Sequence, residues 1–371
     1  MTRNGRARGL VAAAVLVAAA GNAAAAGFHA LGLPGAQLAA LSADGCLAAG
    51  LVSGGQAGFR WRVGTGVETL DGAISVRALS ASGRYAAGSS LDAERREVAS
   101  YWDADGRLHR LGGAAGVDSI SVVSQAFGVT DEPRIVGSVG NAAAAFVWTR
   151  ADGLRLLEGP EGALAARAEG LADDGTTIYG WAEAPGGRRR GVLWSAGAPR
   201  FLPDRPDLAV REISAASRSA RILLGAAGDA SAFRWNVETG AVAVDAAVPA
   251  QAVHLLSSSE DGRLAVGSRG QGNERVAVVW SVNGGVQPLD RWIAARDIAL
   301  PPGWRLGAAT AISGDGQRIG GWGQHDGRFD SFVLDLAGEP ARPACAPSGQ
   351  GLSSVPGPAP PQPIQGGTTE P

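Results

Sequence analysis

The stretch Ala40-Leu41-Ser42-Ala43-Asp44-Gly45, followed by Gly50, the triplet Phe59-Arg60-Trp61, Gly66 and Leu70, recurs with drift seven times along this chain. Later copies keep the spacing of the glycine pair: Gly83 and Gly88, Gly175 and Gly180, Gly262 and Gly267, Gly316 and Gly321. In copies three and five Glu132 and Ala220 stand in the first slot, ahead of Gly137 and Gly225. An aromatic segment follows each time, ending at Trp61, Trp102, Trp148, Trp194, Trp235 and Trp280, with Phe332 and Leu334 in the seventh copy. The Trp-to-Trp steps of 41 to 46 residues have the length of one propeller blade.

Each piece has a mechanical reading. Ser-x-Asp-Gly is turn chemistry, because the Ser and Asp oxygens bond nearby backbone and Gly accepts a positive φ. It lies between short apolar runs such as Arg77-Ala78-Leu79 and Arg84-Tyr85-Ala86-Ala87, so a tight hairpin is predicted. The aromatic run, a further turn containing Gly66, Gly106, Gly153, Gly240 or Gly285, and a last short strand make four strands per copy. The apolar runs are nearly continuous, which suits sheets covered on both faces by neighbouring blades. The fold expected is therefore all-β, a seven-bladed β-propeller over residues 27–336.

A ring must close, because an exposed strand edge invites aggregation. Copy seven supplies three strands only, while Gly27-Phe28-His29-Ala30-Leu31-Gly32 resembles the fourth strand of other copies, such as Gly106-Arg107-Leu108-His109-Arg110-Leu111-Gly112. The N-terminal strand is predicted to complete the last blade. Between copies six and seven, Leu289 to Arg296 carries apolar residues at helical spacing, and a short helix on one rim is expected.

Outside the repeats, residues 1–26 have the form of a secretory signal: Arg3, Arg6 and Arg8, an apolar run, then Ala24-Ala25-Ala26 as a cleavage site. That run is about half the roughly 20 residues a membrane span requires, so no span is expected in the mature chain. Residues 337–371 are rich in Pro, Gly, Ser and Thr and are expected to be disordered. Cys46 and Cys345 stand near the two ends of the repeats. They read either as a disulfide that staples the ring or as two unpaired thiols. The net charge of -2 becomes -5 once the three leader arginines are removed, which argues against nucleic acid as a partner.

The copies resemble the HAF repeats of exported bacterial proteins. Those carry an Ala-Ile-Ser-x-Asp-Gly turn, a Gly, then His-Ala-Phe-x-Trp. Ala311-Ile312-Ser313-Gly314-Asp315-Gly316 and Ala232-Phe233-Arg234-Trp235 match most fully, and Gly303-Trp304-Arg305-Leu306 is similar to the C-terminal pattern. The naming His is missing from every copy, its place taken by Gln56, Val98, Ala144, Arg190, Ser231, Val276 and Asp330. The resemblance spans residues 27–336; it implies export and a repeat fold, and no defined activity.

Chemical motifs are sparse. The chain has no lysine, which excludes a P-loop and a Schiff base. Its four histidines are scattered, two distant cysteines make no zinc site, and Asp103-Ala104-Asp105-Gly106 reads as a hairpin turn more than a calcium loop. No catalytic residue, metal ligand or cofactor is assigned. The uniform Ser/Asp turns all fall on one face of the ring and read as scaffolding. The variable loops emerge on the opposite face, where Trp181, Trp322, the run Arg188-Arg189-Arg190 and Glu94-Arg95-Arg96-Glu97 are candidate binding residues, since Trp and Arg are favoured at binding hot spots. The alternative is that the tryptophans pack between blades and the arginines are solvated. The reading preferred is an exported, non-enzymatic, monomeric propeller of the periplasm or exterior that binds an envelope protein or glycan. The alternative is a secreted glycan-active enzyme with a pair of carboxylates in the central channel.

Overall fold

Seven antiparallel sheets of four strands each form a seven-bladed β-propeller. The computed structural model describes residues 27–337 and Cys345, apart from 54–56, 113–122, 141–142, 204–208, 229–230 and 244–251. The signal segment, the tail beyond Ala337 other than Cys345, and Gln56 lie outside the described residues. In the first blade the strands Ala36–Leu41, Leu47–Val52, Ala57–Arg62 and Gly66–Leu70 follow in chain order from the axis outward. Among the described residues no helix is long and apolar enough to cross a membrane.

The seventh blade departs from that order. Its first three strands are Trp304–Ile312, Arg318–His325 and Arg328–Asp335, and its outer strand is Gly27–Ala30. Gly27 pairs with Asp335 and Ala30 with Phe332, so the start of the repeats closes the ring as expected. Phe28 stacks on Phe332 at 5.5 Å and meets Trp304 edge-on at 4.8 Å. A disulfide between Cys46 and Cys345 adds a covalent closure across 299 residues of chain. Beside it Arg318, only 7% exposed, pairs with Asp335 at 3.1 Å and holds Nη1 within 3.0 Å of both sulfurs.

The core lies between blades. One cluster joins Leu47 and Ala49 of the first blade to Val76, Leu79 and Trp102 of the second, so neither sheet buries its apolar face without the other. The blade tryptophans also tie down chain connections. The indole N–H of the fully buried Trp102 donates to the Asp71 carbonyl at 3.0 Å, and that of Trp194 donates to the Glu158 carbonyl at 2.7 Å. Each holds the segment by which the chain enters its own blade. The helix Leu289–Ala294 packs Leu289, Trp292 and Ile293 against blades six and seven.

The second glycine of each pair has a steric cause. Gly50, Gly88, Gly137, Gly180, Gly225, Gly267 and Gly321 each face a residue of the first strand that immediately precedes a bulge. A Cβ on any of them would collide with a first-strand carbonyl oxygen, that of Glu212 in the case of Gly225, where Phe233 also stands at 2.8 Å. Backbone cannot yield as a side-chain tip can. Gly225→Ala is expected to cost roughly 3–5 kcal/mol, read as a lowered denaturant midpoint, whereas alanine at the open Gly64 tests only the local turn.

The Ser-x-Asp-Gly turns form as read. In the last copy the Ser313 hydroxyl donates to Asp315 at 2.6 Å and accepts from the Arg318 amide at 2.8 Å, while Gly316 takes φ +73. The turns are also sewn to one another. Amide-to-carbonyl bonds run from Ala43 to Ala81, Gly314 to Ala43, Glu260 to Gly314 and Asp173 to Arg218. The remaining junctions use side chains: Ser219 donates to Glu260, Ser82 to Asp131, and Arg134 to the Gly175 carbonyl. A belt of hydrogen bonds thus crosses all seven blade junctions on the turn face.

One belt carboxylate titrates in a useful way. Burial pushes Asp131 up, but hydrogen bonds from Ser80 and Ser82 outweigh it and hold the carboxyl below its ordinary value. A folded pKa below the unfolded one contributes stability that is complete above the unfolded value and disappears as pH falls through the folded one. The melting-temperature advantage of the native chain over Asp131→Asn is therefore expected to be full above about pH 5 and to vanish on acidification. A constant difference from pH 7 to pH 3 contradicts this.

Candidate functional site

The bulges that exclude side chains from the second strand push other side chains into the axis. Ala39, Arg77, Phe127, Glu169, Ser214, Leu256 and Thr310, one from each blade, are the residues skipped when the first strand pairs with the second. Bulges commonly re-aim a side chain in this way. All seven line a central cavity of about 200 Å³. Each stands eleven residues before the second glycine of its copy, ten in the third copy.

The turn-face end of this cavity is crossed by Arg218. Its guanidinium donates to Asp173 of the neighbouring blade at 3.0 Å and to the Leu41 carbonyl of the first blade, across the ring, at 2.6 Å. Tyr179 also reaches the axis although it belongs to a second strand, because its ring lies over Gly170, where a Cβ would strike the hydroxyl. Burial above all, with Glu169 adding to it, pushes the Tyr179 phenol well above its ordinary value, so at neutral pH it is a hydrogen-bond donor.

The carboxylates of the cavity are both compensated. Glu169 accepts from the Trp181 indole at 3.1 Å and stands 2.9 Å from Arg167 as an ion pair without hydrogen-bond alignment. Burial raises its pKa, with Glu212 contributing and Arg167, Trp181 and Arg77 opposing. Asp173 is likewise raised by burial and opposed by its Arg218 partner. Arg167 in turn lies over the Phe127 ring at 4.1 Å. The second-strand tryptophan, the channel carboxylate and the Arg167–Phe127 stack thus form one connected cluster in blades three and four.

The residues singled out from sequence are placed unevenly. Trp181 does not begin a loop: it lies inside the strand Thr177–Glu183, is 4% exposed, and is covered by Arg189 at 3.9 Å. Its free ring face is occupied, so it offers no open platform. Arg190, next to Arg189 in the following strand Arg189–Ser195, lies over Phe201 at 4.4 Å, and Arg188 is exposed. In the other loop Arg96 pairs with Asp92 and Glu94 at 2.7 and 2.9 Å. Trp322, also inside a strand, is half-buried over Gly307 and meets Phe329 edge-on at 5.7 Å, with Arg275 at the same distance from its ring. Phe329 is 37% exposed. Blades four and seven are not neighbours, so the two tryptophans serve separate places.

Sequence reading missed the bulged ring and Arg218. The only signal for the ring was its constant distance from the second glycine, since the seven residues share no side-chain type. Arg218 occupies the variable position of a turn read as uniform scaffolding.

No protein-family model matches this chain, and no curated protein does. Among solved structures, a chain of the crystal structure of the mitotic checkpoint complex is similar over 90% of this chain and 99% of its own, with a TM-score of 0.52 and 15% identity. A likeness at that identity is one of fold.

Proposed function

We propose that this protein is an exported, non-enzymatic binding module of the cell envelope, built on repeats of the HAF type, that takes an envelope protein or glycan on its loop face. A β-propeller is in general a binding or scaffold module, and the observation that carries the finer reading is the group formed by Trp322, Phe329 and Arg275. There an indole, an exposed phenyl and a guanidinium meet on the face opposite the sewn turns. Such groups recur at binding hot spots and suit stacking on sugar rings. Export is supported by the leader-like residues 1–26 and by the Cys46–Cys345 disulfide, a bond that persists in oxidising compartments. The catalytic alternative is supported by one observation, the raised Glu169 with Glu212 in its field. The pairing of Glu169 with Arg167 and Trp181 weighs against it.

The test is a glycan array together with a pull-down from envelope extract, using the native protein and Trp322→Ala. The expected result is a retained ligand that the variant, with unchanged circular dichroism, fails to hold. A ligand lost with Glu169→Gln and turned over by the native protein supports the enzyme instead.

A further inference from the structure

The central cavity holds one charged group without a bonded partner, independent of the loop face. Two of its ionic groups, Asp173 and Arg218, neutralise each other at the floor, and Glu169 is neutralised by Arg167. That leaves Arg77. Its side chain is exposed to the cavity, and among the described residues it makes no hydrogen bond or ion pair. It acts at longer range on Glu169, two blades along the ring. A guanidinium presents a planar fork of donors that matches a carboxylate.

The rest of the lining narrows the chemistry. The Tyr179 hydroxyl and the exposed Ser214 hydroxyl have no hydrogen-bond partner among the described residues, so they are available to hydroxyl groups of a ligand. Phe127 and Leu256 supply an apolar side. The volume of about 200 Å³ limits the ligand to a small molecule. A doubly charged phosphate on Arg77 would sit in the field of Glu169, Asp173 and Glu212, which a single guanidinium does not offset. The geometry points to a binding site in the propeller axis for a small hydroxylated monocarboxylate, from a 2-hydroxy acid to a sugar acid, with its carboxylate on Arg77 and its hydroxyls on Tyr179 and Ser214.

The experiment is isothermal titration of the full chain with lactate, glycerate, gluconate and glucuronate. Glycerol, glucose and inorganic phosphate serve as controls matched in size or charge. At least one carboxylate is expected to bind, with glycerol and glucose silent. Arg77→Gln is expected to weaken it about ten- to hundred-fold and Tyr179→Phe about three- to ten-fold, each at an unchanged melting temperature. The site is overturned if no carboxylate of the panel binds, if phosphate or a neutral sugar binds as tightly, or if both variants bind like the native chain. Because Trp322 lies outside the cavity lining, Trp322→Ala should leave this titration unchanged, which separates failure here from failure of the loop-face reading.

Discussion

Removal of residues 27–33 is expected to open the propeller and drive it into aggregates. The deletion takes away the outer strand of the seventh blade and leaves Phe332 to Asp335 with an unpaired edge, a template for pairing with other chains. It also strips Phe28 from between Phe332 and Trp304, and the Leu33 amide from Asp330. Burying one phenyl contributes about 1.5–3 kcal/mol and each ladder bond about 1 kcal/mol, so the loss is on the order of 5 kcal/mol. The measurements are size-exclusion elution and the thermal midpoint. A monomer melting with the native chain would show that the ring does not depend on this strand.

The second large effect is expected from replacing both cysteines by serine. The disulfide encloses 299 residues, almost the entire ring, and chain-entropy arguments give about 5 kcal/mol for a loop so long. For a domain of this size that corresponds to a fall of about 10 °C in melting temperature. The double replacement is preferable to a single one because it leaves no lone thiol beside the buried Arg318. Reductant should lower the native chain to the variant's midpoint and leave the variant unmoved. Equal midpoints with and without reductant would show that the bond does not stabilise the fold. The two closures act at one junction, so their effects should be less than additive.

The first of these closures was legible along the chain. Gly27 to Gly32 resembles other fourth strands because every such strand meets the same environment, and a missing strand in copy seven creates a vacancy of that kind. The turns were legible for a more local reason: Ser313, Asp315 and Gly316 satisfy one another within six residues. The cysteines were visible but their pairing was not, since either state is compatible with the spacing. Trp181 and Trp322 were visible as types, yet their roles depended on what lay above them, Arg189 in one case and Phe329 with Arg275 in the other.

Blade number, turn chemistry and the closing strand are thus written in the order of residues, because interactions over a few positions and a repeated period suffice to specify them. The meeting of Arg77, Glu169, Tyr179 and Arg218 is not. These residues lie in different blades or on different strands and share no motif; they become neighbours only when seven bulged strands are drawn around one axis. Charge balance within that axis is a property of the closed ring, since Arg218 finds Leu41 only after 177 residues of chain have come round to meet it.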